Sequence, residues 1–267
     1  MTTPLDSYAG QTKVALDHVC AKLFAGKIAP GARVSERALA RELKMSIIPV
    51  REALAHLIAF GVLVKIPHYG TFAQRLEPGA VARLADFRLM AYAYAIARAA
   101  ADPEPGALAE LKAAARQFEE KATQAVSQDW GAATPEAWDD MVSGMTLGML
   151  AVFQQVLRVA RMDVQVEMFR RADLLHVMLA REAWQVLSRR DMVEHLDEAY
   201  VKRPLGEFVA AIEAGDVERA QRLHFERARF AYHDMGRRIL AARGEGPESP
   251  AHAHARLTDA RFEFLCQ

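Results

Sequence analysis

The run MSIIPVREALAHL, Met45 to Leu57, contains one side chain with specific recognition chemistry. The guanidinium of Arg51 can take guanine O6 and N7 together, or reach a phosphate. Val50, Ala53, Leu54 and Leu57 share one helical stripe, which leaves Ile47, Ile48, Arg51 and Ala55 on the opposite, outward face. The start of such a helix presents free amides and the positive end of its dipole to a phosphate. Upstream, Arg37 and Arg41 lie four residues apart and share a face, so Arg37 is placed to hold a nucleic-acid backbone and fix register. Basic residues on an amphipathic helix are also what an ordinary solvated face looks like, so the elements around them must decide.

Those elements can be read in order. A helix over 12–25 with Ala15, Leu16, Val19 and Leu23 on one face stops at Gly26. KIAPGARV reads as a turn. Ser35 can cap a short helix, ERALAREL, with Leu39 and Leu43 inward. After Lys44 and Met45, Ser46 can cap a third helix, in which Pro49 is tolerated because it falls in the first turn. Gly61 ends that helix, and VLVKIPHYGTFAQR then reads as two short strands joined at 67–70. Two helices across a tight turn, followed by a hairpin, predict a winged helix-turn-helix whose second helix enters the major groove.

From Pro78 onward the periodicity predicts helices over 80–101, 107–128, 135–158, 163–187, about 191–201, 205–214 and 216–242, separated by ADPEPG, DWGAATP, KRP and AGD. The expected fold class is mainly α: an N-terminal winged helix-turn-helix with a small β-hairpin wing, then an all-α bundle of six or seven helices. The expected domains are 1–77 for DNA binding, 78–243 for ligand sensing and dimerisation, and a flexible tail over 244–267.

Whole-chain charge is balanced, 34 Lys and Arg against 34 Asp and Glu, but its distribution is not. Between Gln11 and Arg75 there are ten basic residues and four acidic ones, so the first quarter is a basic module. Cys20 and Cys266 are too few and too far apart to suggest a disulfide framework, and MTTPLDSYAG lacks the apolar core of a signal peptide, which together predict the cytoplasm. The longest uncharged run, 141–157, carries Ser143, Thr146, Gln154 and Gln155, so burial in a helical bundle is expected rather than a membrane span.

On these residues the segment GKIAPGARVSERALARELKMSIIPVREALAHLIAFGVLVKIPHYGTF resembles the DNA-binding domain of the GntR family of bacterial transcription regulators. The shared features are the Pro-Gly turn, the Ser-Glu-Arg start of the second helix, the Pro-Val-Arg-Glu-Ala-Leu run and a glycine in the wing. The resemblance implies DNA contacts at Arg37, Ser46, Ile47, Arg51, His68, Tyr69 and Gly70. One position departs: the family usually has a guanine-reading arginine where this chain has Ile47. Isoleucine donates no hydrogen bond but can pack on a thymine methyl.

The remainder resembles, more loosely, the ligand-sensing FCD domain of that family's FadR branch, through its all-α layout and EFVAAIEAGDVERAQRL. The resemblance implies a divalent metal held by an aspartate, a histidine four residues later and two further histidines. Here WDDMVSGM offers Asp139 or Asp140 but Ser143 or Gly144, and the other positions fall on Leu205 and Arg227, with His224 nearby. Neutral imidazoles and a carboxylate suit such an ion; these departures argue against a metal, and no cofactor is expected. The resemblance also makes Arg88 a pocket-facing candidate. Met141, Met145 and Met149 recur every four residues and could floor an adaptable apolar cavity, or simply be core. Arg227, with Arg88, could hold a carboxylate directly, while the methionines contact its apolar part; pairing of Arg227 with a surface acid is the plain alternative. His252 and His254 form a weak metal pair in the tail.

Three functions are compatible with these residues. The first is a ligand-responsive regulator binding a palindromic, double-stranded DNA operator as a homodimer, with a small carboxylate or acyl effector and no membrane partner. The second is an architectural DNA binder with a degenerate sensor. The third, an enzyme, lacks a nucleophile with a matched base, an HExxH motif, a phosphate-binding glycine loop and GxGxxG, and is not expected.

Overall fold

The structure is a computed structural model that describes residues 10–24, 26–75, 78–162, 165, 169, 172–173 and 188–228. The tail with His252 and His254, most of the helix expected over 163–187, and the end of the helix expected to reach 242 lie outside the described residues. The chain divides into two compact units: Met1–Glu77 with Glu167–Arg181, and Pro78–Val166 with Glu182–Gln267.

In the first unit, helix α1 (Gly10–Phe24) packs on α3 (Ile47–Ala59) through Ala15, Leu16, Val19 and Leu23, all buried. Cys20 shares that core, and burial pushes its thiol up to about 12, so it packs as a small apolar residue rather than as a nucleophile. Helix α2 (Glu36–Glu42) begins as expected, with the Ser35 hydroxyl accepting from the Ala38 amide at 3.3 Å. It ends with Lys44 in the left-handed region (φ 52°), which lets the Met45 amide donate to the Ala40 carbonyl and the Lys44 amide to that of Arg41. The same wrap closes α3, with Gly61 (φ 70°) in the left-handed position.

Two expectations change here. Ser46 has the extended conformation of a cap (φ −67°, ψ 162°), but its hydroxyl accepts no helix amide. Pro49 explains this: it occupies the third helical position, whose N–H the cap would take, and it has none. The wing is also larger than a hairpin. Strands β2 (Leu63–Ile66) and β3 (Gly70–Ala73) pair antiparallel, and β1 (Arg33–Val34), in the segment read as a turn, adds to the other edge of β3 to give the order β1-β3-β2. Two residues carry no period of their own; β1 is a strand only because Arg33 stands opposite Phe72 and Val34 opposite Thr71.

Among its described residues the second unit consists of helices and the turns that join them, with no strand. Helices α4 (Pro78–Ala101), α5 (Pro105–Ser127) and α6 (Pro135–Val159) are followed by α7 (Arg189–Leu196), a π-helical turn (Asp197–Val201), α8 (Leu205–Glu213) and α9 (Val217–Ala228). Pro105 and Pro135 open their helices beside side-chain caps from Glu104 and Thr134. Amides of Gly106 and Ala107 hold the Glu104 carboxyl below its usual range. Helix α6 is long and apolar enough to span a membrane by length and composition. It instead lies against α5, where a Cβ on Gly148 would come within 3.0 Å of the Phe118 ring. Val142, Met145, Val152, Phe153, Val156 and Leu157 are buried on it. Gly215 and Asp216 make the expected break: Gly215 (φ 72°) wraps the end of α8, and Asp216 Oδ1 accepts from the Arg219 amide at the start of α9.

Candidate functional site

The outward face of α3 is set by its core stripe. With Pro49, Val50, Ala53, Leu54 and Leu57 buried, Ile48, Arg51 and Ala55 are exposed and Ile47 is half-buried. Ile48 is 63% exposed, so the structure turns it outward more fully than Ile47. An isoleucine so placed leaves most of its apolar surface in solvent, and a thymine methyl is a surface it can cover. Ser46 is exposed beside it with its hydroxyl unused by the helix.

Arg51 is not simply splayed into solvent. Its Nε donates to Oε2 of Glu36, at the first position of α2, at 3.1 Å. Sequence reasoning passed over Glu36; two residues fifteen apart meet only because the turn folds α2 onto α3. Arg37 is exposed on α2, and its carbonyl accepts from Arg41 Nε at 3.4 Å. At the wing tip, His68 (φ 66°), Tyr69 (71% exposed) and Gly70 (φ 118°) form the bend, with the Tyr69 amide donating to the Ile66 carbonyl. A Cβ on Gly70 would meet Arg33 Nε at 3.1 Å, so the glycine lets this second arginine lie across the wing.

In the helical unit Arg88 (α4), His224 and Arg227 (both α9) are buried. Both guanidiniums act electrostatically on the His224 imidazole, whose pKa falls to about 3, first through burial and then through Arg227 and Arg88. The His224 Nε2 donates to the Leu89 carbonyl at 3.3 Å, so the ring is neutral with its proton on that nitrogen. Phe153 stands edge-on to the imidazole at 5.6 Å and 4.6 Å from the Tyr92 ring, and the Arg88 guanidinium lies 5.6 Å from the centre of that Tyr92 ring. Met145 is buried, with Met141 and Met149 half-buried on the same helix, and Phe153 is one turn beyond Met149.

Arg227 is neither a surface ion pair nor a fully free fork. Its Nη2 donates to the Arg203 and Pro204 carbonyls at 3.0 and 3.1 Å, anchoring the loop ahead of α8. Its Nε is buried without a hydrogen-bond partner among the described residues, and its guanidinium lies over the Phe208 ring at 5.7 Å. Burial lowers its pKa to about 10, which leaves it cationic at neutral pH. The π-helical turn brings Tyr200 into electrostatic reach of the same guanidinium, a neighbour no helical periodicity could have indicated.

These residues do not suit a divalent metal. Leu205, buried at 1%, has no donor atom, Arg227 would repel a cation, and Ser143 and Gly144 supply no imidazole. Among the described residues no group of three or more His, Cys, Asp or Glu could hold an ion.

Residues 11–73 match the family described as bacterial regulatory proteins, gntR family. An HTH-type transcriptional regulator of Mycobacterium tuberculosis is 32% identical over 101 residues, 38% of this chain and 41% of the relative. Another, encoded in an unstable DNA locus of Streptomyces ambofaciens, is 35% identical over 89 residues, 32% of this chain and 36% of the relative. The matches thus span only about two fifths of these relatives' lengths. Among solved structures, E. coli McbR/YncC superposes with a TM-score of 0.64 at 22% identity, covering 85% of this chain and 98% of that one. A chain from Rhodococcus sp. RHA1 described as a transcriptional regulator GntR gives 0.58 at 18% identity, covering 88% and 99%. At such identities the likeness is one of fold, and it extends over the helical unit as well as the winged one. The family and these relatives are regulators rather than enzymes. The family likeness thus rests on residues 11–73, the helices and strands of the N-terminal unit.

Proposed function

We propose that the chain is a ligand-responsive transcription regulator that binds a palindromic operator as a homodimer, working in the cytoplasm where the DNA is. The observation that carries this reading is the outward face of α3, where an arginine, an exposed isoleucine and an unused serine hydroxyl surround a helix start. Arg37, Ser46, Ile47, Arg51, His68, Tyr69 and Gly70 are the proposed contacts. Arg51 reads a base or phosphate, Arg37 and the wing hold backbone, and the isoleucines cover a thymine methyl. A palindrome presents the same half-site twice about a two-fold axis, so two copies related by that axis are required to engage both.

The effector we infer is a small carboxylate or acyl metabolite. Arg88 and Arg227, both buried beside a neutral histidine, are cationic groups that favour an anion over a cationic ligand. The free Nε of Arg227 is the directed donor, Arg88 the second charge, and the Met141, Met145 and Met149 row an adaptable apolar wall. The anchoring of Arg227 to the loop before α8 supplies a second reading, that it is purely structural and the sensor inactive.

The test is to select a duplex from a random pool with the full chain, then titrate the complex with pyruvate, malate, citrate and octanoate. One of these should change DNA affinity, chelators should leave that response intact, and Arg227→Lys should abolish it while DNA binding survives. A response that Arg227→Lys leaves unchanged would refute the effector site.

A further inference from the structure

We propose that Glu36 is a specificity-determining positioning residue: by holding Arg51 at Nε it aims the guanidinium at a base and discourages binding to phosphate alone. The inference rests on the DNA-binding reading above. The pair is unequal. Arg51 has 62% of its side chain exposed and Glu36 only 31%, so the carboxylate is the better-held partner and the arginine the one presented outward. An exposed ion pair contributes little to stability, so orientation is the larger consequence of this contact. With Nε engaged, the remaining four N–H groups sit on Nη1 and Nη2, the end-on fork that matches guanine O6 and N7.

The other residues on the face make this orientation decisive. Ile47, Ile48 and Ala55 have no side-chain donor, so Arg51 is the one cation among these four outward residues and the one that can take guanine O6 and N7 together. The charge of Glu36 works in the same direction. The basic segment holds four acids, of which Asp17 pairs with Lys13, Glu42 with Lys22 and His18, and Glu52 accepts from Thr12. Glu36 is the one joined to the recognition face. A carboxylate there repels a phosphate wherever Arg51 finds no base to engage, which weakens non-specific binding more than specific binding.

The experiment compares the full chain with Glu36→Ala, Glu36→Gln, Arg51→Ala and the double variant Glu36→Ala with Arg51→Ala. Each is titrated by fluorescence anisotropy against a selected duplex and a scrambled one of equal length, at several KCl concentrations. Glu36→Ala should lower the selected-to-scrambled affinity ratio about tenfold, chiefly by tightening the scrambled duplex. Glu36→Gln keeps an acceptor for Nε but removes the charge, so it should retain part of the ratio, and its thermal melt should match the parent chain. In the Arg51→Ala background Glu36→Ala should leave the ratio unchanged. A ratio insensitive to Glu36, or equally sensitive with and without Arg51, overturns the proposal. If the parent chain prefers no duplex, the DNA-binding reading itself fails, an outcome distinct from both.

Discussion

At position 48 an apolar side chain faces water at the start of α3, while at position 224 a titratable one is sealed in a core. Both placements carry consequences that can be measured. Introducing arginine by Ile47→Arg puts a bidentate donor at the family's usual guanine-reading position, so selected sites should gain a guanine at one position per half-site; an unchanged selection profile would show that Ile47 does not face the bases. His224 sets a pH dependence. Its pKa is 6.5 when unfolded and about 3 in the fold, so between those values the unfolded chain binds a proton that the folded chain does not. Stability from this group is fully present above pH 6.5 and is lost as pH falls, at up to about 1.4 kcal/mol per unit until the buried ring itself titrates. Urea unfolding of His224→Gln should therefore converge on, or overtake, the parent chain between pH 7 and 4; parallel profiles would contradict the burial. The Arg51 position was legible in the sequence, because a helical stripe fixes what lies opposite it. His224 was not, since nothing in AQRLHFERA distinguishes a histidine turned inward from one turned out.

At the level of elements, the caps and breaks were the most readable features and the strands the least. Ser35 and Gly215-Asp216 act through atoms within a few residues, so local sequence contains the whole interaction. The β1 strand and the π-helical turn depend on partners far along the chain or on a register change inside a helix, and neither leaves a period to find. Ser46 shows how one residue can cancel a local rule: its cap geometry is present, but Pro49 has removed the amide. The two wraps closing α2 and α3 yield a direct comparison. Gly61 occupies the left-handed position freely, whereas Lys44 adopts it at a cost of about 1 kcal/mol. Lys44→Gly should stabilise the winged unit by about 0.5–1 kcal/mol in thermal or urea unfolding, and Gly61→Ala should destabilise it by about 1–2 kcal/mol. A Lys44→Gly chain less stable than its parent would mean that the lysine side chain contributes more than its backbone costs.

Over the whole molecule, net neutrality conceals a division of chemistry: a basic winged unit with Arg51 exposed on α3, and a helical unit that buries two of its cations, Arg88 and Arg227. The first arrangement suits a polyanion met at a surface, and the second is what the proposed acidic effector would use. In the sequence, caps and a hairpin give way to long helical periods near Pro78, but nothing there joins Glu167–Arg181 to the first unit. The arrangement of Arg88, His224 and Arg227 around one imidazole was not visible, because it depends on α4 and α9 packing together. The most direct test of the central claim is the salt dependence of DNA binding by the full chain. Anisotropy titrations of a selected duplex between 50 and 200 mM KCl should show affinity falling by about 10³-fold or more, as expected for six or more neutralised phosphates, and Arg51→Ala should cost about 1–3 kcal/mol of the specific binding. Affinity that is flat across that range for every duplex, or indifferent to Arg51→Ala, would contradict the account.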